Sequence, residues 1–170
     1  MTVTAHGFDD VTGRELFSLK LASSAELPVR IELPSSHFAC LLAWDASRVA
    51  TDSVSSVAER LLRSGASYFV CWGPDSERVE GIIDDITIHP GYDFGVPHDS
   101  CIMTTSHGNE SLEEALWFFL SSAWPDDHYV ESTRAALAIS IGSLKWAQEI
   151  SAALADVRGF VGSISTDGVA

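Results

Sequence analysis

Four apolar runs, each followed by a stretch with helical spacing, constrain this chain more than any other feature. The runs are residues 38–44, 67–72, 101–105 and 135–141. A sheet wet on one face would alternate apolar and polar residues, so continuous runs predict strands covered on both faces. After the first run come Val54, Val57, Ala58, Leu61 and Leu62, on one helical face and closed by Gly65. After the second come Val79, Ile82, Ile83 and Ile86, closed by Pro90. Ser111 and Glu114 form a capping box, and Leu112, Ala115, Leu116, Phe119 and Ala123 follow on one face up to Pro125. Ser143 caps a last helix carrying Trp146, Ala147, Ile150, Leu154 and Val157, expected to end at Gly159. Fourfold alternation of this kind predicts βα units, a mostly parallel sheet and helices on both faces.

The first 37 residues read differently. Residues 17–21 and 29–33 each alternate at period two, and the second stops at Pro34. Both are expected to be exposed-edge or antiparallel strands. The expectation is one three-layer α/β domain over residues 1–170: an N-terminal antiparallel extension (1–37), βα repeats (38–159), and a tail (160–170) that adds a short strand at 160–164 or frays.

Charge narrows the function classes. The net charge is −14, and only Lys20 and Lys145 are lysines. Phosphate backbones and anionic membranes require clustered basic residues, so neither nucleic acid nor a membrane surface is an expected partner. No basic, apolar leader opens the chain, and no run reaches the roughly 20 apolar residues of a membrane span. Cys40, Cys71 and Cys101 all lie in apolar runs without paired spacing. They are expected to be buried, reduced thiols of a cytoplasmic protein.

Ligands of open parallel sheets bind beyond the carboxyl ends of the strands. Trp44, Asp45 and Ser47 stand there after the first run, and Trp72, Gly73 and Asp75 after the second. Thr105, Ser106, His107, Gly108, Asn109 and Glu110 follow the third, and Gly142 and Ser143 the fourth. Trp44, Trp72, Asp75 and Ser106 are the candidate binding residues. Asp45, Thr105, His107 and Glu110 are the candidate catalytic ones. Asp45, Trp72 and His107 are expected to share one pocket. Each also has a plainer reading: aspartates cap helices, and tryptophans that continue buried strands are usually core.

Known constellations fail on inspection. The chain has no phosphate-binding loop G-x-x-x-x-G-K-[ST], no G-x-G-x-x-G and no G-x-S-x-G elbow. Neither lysine sits on a late strand tip, where phosphotransfer sites of this topology need one. Residues 45–49 partly resemble the D-x-S-x-S metal loop of von Willebrand A domains, but Val49 replaces the second serine. His98 and Cys101 have a ligand-like spacing, yet His107 lies beyond the far end of the strand, roughly 15–20 Å away at 3.3 Å per residue. No metal site is expected, and no cofactor is identified.

The segments Leu41-Leu42-Ala43-Trp44-Asp45, Cys71-Trp72-Gly73 and the run from Met103 to Leu116 resemble an uncharacterised bacterial family of unknown function, over roughly residues 38–157. The resemblance implies a Rossmann-like or flavodoxin-like fold and no activity. The leading expectation is a non-catalytic protein that binds a partner or a small ligand at the C-terminal edge of the sheet. The competing one is a small hydrolase or transferase using Asp45, Thr105, His107 and Glu110. Trp117, Phe118 and Trp124 fall outside the apolar face of the third helix, so they are the expected surface for a homodimer or another protein.

Overall fold

The computed structural model describes residues 2–167. It contains β1 (Thr4–Asp9), β2 (Arg14–Leu21), β3 (His37–Trp44), α1 (Thr51–Ser64), β4 (Ala66–Trp72), α2 (Ser76–Ile88), β5 (Met103–Ser106), α3 (Leu112–Ser121), β6 (Thr133–Ile141), α4 (Leu144–Ala155) and α5 (Val157–Asp167). One six-stranded sheet has the order β1-β2-β6-β3-β4-β5. Every neighbouring pair is parallel except β1 with β2. The four expected strands are thus adjacent and parallel.

Side-chain alternation splits the core in two. Phe38, Cys40, Leu42 and Trp44 of β3 point to one face, with Phe69 and Cys71 of β4, and meet Val54, Val57 and Leu61 of α1 and Val79 and Ile83 of α2. Ala39, Leu41 and Ala43 point to the other face, with Ala136 and Ala138 of β6, and meet Leu116 and Phe119 of α3 and Ile150 and Leu154 of α4. The small alanines let α3 and α4 approach the sheet closely. The result is a three-layer α/β architecture, as the continuous runs require.

Counted from β3, the βα strands are ordered 3-2-1-4, and β2 takes the outer place beside the fourth. The chain leaves β3 toward β4 through α1, on one face. It returns from β5 to β6 through α3, on the other. The connections therefore diverge between β3 and β6, which makes this the switch point of the sheet.

Several expectations are corrected. Residues 17–21 do lie in an antiparallel strand, β2 pairing with β1, but not at an exposed edge: β2 also pairs in parallel with β6 through seven residue pairs, from Glu15↔Ala135 to Leu21↔Ile141. Its alternation arises because the helical layer covers one face incompletely, leaving Lys20 exposed and Ser18 half-buried. β1, which lacks a strong pattern, forms the edge beyond it. Residues 29–33 are not a strand and join neither edge of the sheet. α1 holds this segment instead: the Ser64 hydroxyl accepts from the Ile31 amide, Arg60 donates to the Leu27 carbonyl, and Leu27 and Ile31 plug the core.

The last helix stops at Ala155, before Gly159, and a new one begins at Val157. The expected strand at 160–164 is part of α5. Val157, Phe160 and Val161 pack against the α3–α4 core at helical spacing, a period that was present in the sequence. Residues 168–170 of the expected tail lie outside the described residues. Cys40 and Cys71 are buried, but Cys101 is exposed, because β5 begins only at Met103. The Cys101 thiol lies 3.7 Å from an oxygen of Asp126.

Candidate functional site at the switch point

The ends of β2, β3 and β6 enclose a cleft of about 520 Å³ at the switch point. Ser23 and Ser24 line it from the segment after β2, Trp44, Asp45 and Ser47 from the β3 end, and Ser143 and Trp146 from the start of α4. Gly142, at φ 80°, turns the chain out of β6, and the Ser143 hydroxyl then accepts from the Trp146 amide to start α4. That turn aims Trp146 at the cleft. Behind it stands Trp72, edge-on at 5.0 Å between ring centres, its indole N–H donating to the Glu110 carbonyl at 2.9 Å.

The loop carrying Asp45 is held in three ways. The Ala46 amide donates to the Pro74 carbonyl. Gly73, at φ 115°, packs against the Trp44 carbonyl where no β-carbon fits. Arg78 of α2 donates through Nη2 to the carbonyls of Ala46 and Val49, at 2.6 and 2.8 Å, and through Nε to Asp75 at 2.6 Å. Sequence reasoning missed Arg78, since nothing local marks an arginine whose acceptors lie about 30 residues upstream.

Asp45 does not cap α1, whose cap position is Ala50. Its Oδ1 accepts from the Ser47 hydroxyl at 2.6 Å and from the Ser47 amide at 3.1 Å. These bonds hold the carboxyl below its ordinary range, with a smaller contribution from the Arg48 charge. The cleft therefore presents an ionised carboxylate, serine hydroxyls and indole surface. Asp75 occupies the cap position of α2, but its carboxylate goes to Arg78 and not to the helix amides.

The other candidates gather at the edge strand. The His107 amide donates to the Cys71 carbonyl, continuing the β4–β5 ladder. Its imidazole is 7% exposed and packs against Phe118 at 4.6 Å. Nε2 lies 2.9 Å from the Thr105 hydroxyl and Nδ1 2.8 Å from Oε2 of Glu110. The structure thus brings Thr105, His107 and Glu110 into one chain of hydrogen bonds, beneath α3. Trp44 and Asp45 are brought into the cleft, and Trp72 reaches it only by backing Trp146. Neither Asp45 nor any other cleft residue belongs to the His107 group. Ser106 ends β5 opposite Cys71, half-buried.

The three aromatics of α3 and its exit are unequally exposed. Phe118 packs on Tyr68 as well as on His107. Trp117 is half-buried, and Trp124 is 47% exposed beneath the Arg14 guanidinium at 4.9 Å. Among the described residues, no group of three or more His, Cys, Asp or Glu side chains is disposed to hold a metal ion. No described helix is long and apolar enough to cross a membrane.

Sheet, layers and cleft define an α/β protein with a switch-point crevice. More particularly, the chain belongs to the family described as a domain of unknown function, DUF7684, whose model matches residues 16–157. The match begins inside β2, in keeping with the place of that strand in the parallel sheet. No curated protein and no solved structure matches the chain.

Proposed function

We propose that this protein is a non-catalytic binding module of the cytoplasm that takes a small polar ligand in the switch-point cleft. The observation that carries the reading is the coincidence of the cleft with the divergence between β3 and β6, where open α/β sheets place their ligands. Trp146 offers a flat apolar surface, and Asp45 accepts hydrogen bonds or faces a cationic group. Three free cysteines support a reducing compartment. Binding of a protein through Trp117, Phe118 and Trp124 has less support, since Trp124 alone among them is exposed.

The test is a fragment screen read by amide and indole chemical shifts. Ligands are expected to move Trp146, Asp45 and Ser143 together, and Trp146→Ala is expected to weaken them at least tenfold. Hits that all map away from these residues, or that bind Trp146→Ala equally well, would overturn the reading.

A second reading, a hydrolase or transferase, draws on the Thr105–His107–Glu110 chain, which has the connectivity of nucleophile, base and orienting acid. Against it, the imidazole is buried under α3, and the cleft does not include any of the three. A panel of model esters and amides decides: turnover abolished by Thr105→Val, with the fold retained, would favour the enzyme.

A further inference from the structure

Among the described residues, three buried side-chain atoms lack a hydrogen-bond partner, and one of them belongs to a charged group, Nε of Arg14. Arg14 opens β2 and is 3% exposed. Its Nη2 donates to the Ala123 carbonyl at 3.0 Å, and its Cζ stands 4.9 Å from the centre of the Trp124 ring. Nε is bonded to that carbon, so the unsatisfied N–H lies beneath the same indole. The guanidinium forms no ion pair with a described residue. Asp9 faces it in the β1–β2 register, but its two carboxylate oxygens go to the Val11 amide at 3.1 Å and the Thr12 hydroxyl at 2.7 Å. A buried guanidinium N–H normally has an acceptor, because burial strips its water and an unpaired charge is costly in the interior. This one is short of an acceptor, and a half-exposed indole lies over it.

The surface around it suits a protein partner. Trp124 is 47% exposed, and Val11, in the turn that leads into Arg14, is 74% exposed. Arg134 runs beside the same turn, with Nη1 3.8 Å from the place that a β-carbon on Gly13 would take. Arg134 is exposed, donates through Nε to the Glu131 carbonyl at 2.8 Å, and likewise forms no ion pair with a described residue. Arg158 also reaches the turn, where it is paired with Asp10. Two cations without a counter-charge thus accompany an exposed tryptophan, in a chain of net charge −14. Tryptophan and arginine are among the side chains that most often anchor an interface. Phe118 takes no part, since it packs on Tyr68 and His107.

We infer that this surface docks an acidic segment of a partner protein, one that carries carboxylates beside an apolar side chain. The apolar side chain packs on Trp124 and Val11. Trp124 turns aside, one carboxylate gives Arg14 Nε its missing acceptor, and another meets Arg134. Charge disfavours a second copy of this chain as the occupant: a two-fold contact centred here sets Arg14 and Arg134 against themselves, and each copy carries −14.

Isothermal titration and NMR of the full chain test the inference, with the capped peptide Glu-Glu-Leu-Glu-Glu and its glutamine and lysine counterparts as probes. The glutamate peptide is expected to bind at least tenfold more tightly than the other two. Trp124→Ala and Arg134→Gln, both at exposed positions, are each expected to weaken it at least fivefold, and Trp146→Ala to leave it unchanged. The Nε–H proton signal of Arg14 is expected to move downfield as peptide is added, since it gains a charged acceptor. Arg14→Lys keeps the charge but loses this N–H, and is expected to weaken binding at least fivefold; should it fail to fold, the Nε–H signal of the native chain decides. Failure of the glutamate peptide to bind, equal affinity for the glutamate and glutamine peptides, full affinity in Trp124→Ala, or an unmoved Nε–H signal would overturn the inference. So would a concentration-dependent dimer in sedimentation that Trp124→Ala abolishes, which would assign the surface to a second copy.

Discussion

Gly73 lies against the carbonyl oxygen of Trp44, with a backbone conformation, φ 115°, that side chains rarely adopt. This contact locks the β4–α2 turn onto the β3–α1 turn and so fixes one wall of the cleft. Gly73→Ala adds backbone strain and a collision with a carbonyl that a core strand holds in place. The expected loss of stability is at least ~2 kcal/mol, measured by urea unfolding. A loss below that would show that the two turns can separate.

Arg78 spans the same two turns. Lysine keeps the charge but cannot reach two carbonyls and a carboxylate from one planar group. Arg78→Lys is expected to cost about 1.5–3 kcal/mol, the range for hydrogen bonds to a charged group. Amide exchange should quicken most at residues 46–49, and uniform quickening over the whole chain would contradict this placement.

Asp45 is held below its ordinary range by hydrogen bonds from Ser47. A carboxyl lowered in the folded state stabilises the turn above its unfolded value, and that contribution is lost as pH falls through the folded value. Ser47→Ala should therefore raise the Asp45 titration midpoint toward an ordinary aspartate, as read by carboxyl NMR shifts. It should also flatten the acid limb of stability. An unmoved midpoint would show that Ser47 is not the cause.

The thiols separate into two classes. Cys40 and Cys71 are buried, and burial pushes both well above the ordinary thiol range. Cys101 is exposed, and partial desolvation together with the Asp126 charge raises it. A thiol reagent is expected to label Cys101 alone in the folded protein, faster as pH rises, and all three in denaturant. Rapid native labelling of Cys40 or Cys71 would contradict the packing of β3 and β4.

The resting histidine at the sheet edge illustrates how far the sequence reaches. His107, Thr105 and Glu110 were legible as a polar group after a strand, because the segment is longer than a turn needs. Their order in space was not, since it depends on the imidazole turning under α3 toward Phe118 rather than outward toward Asp45. The same holds for Trp124. Its place outside the apolar stripe of α3 is visible in the sequence, whereas its cover comes from Arg14, far away in the chain.

What the sequence by itself determined is the layered architecture. Continuous runs at 38–44, 67–72 and 135–141 demand cover on both faces, and the helical periods between them supply it, because hydrophobic periodicity is a local property. Tertiary structure alone decided the rest. β2 alternates like an edge strand, yet it runs parallel beside β6, because pairing partners are chosen by register and by which edges remain open. Residues 29–33 alternate in the same way, yet they join no strand, and Ser64 and Arg60 of α1 bond the segment instead. The cleft exists because β3 and β6 are neighbours, a fact of strand order that no stretch of residues encodes, and Arg78 and Gly73 acquire their roles only once two distant turns touch.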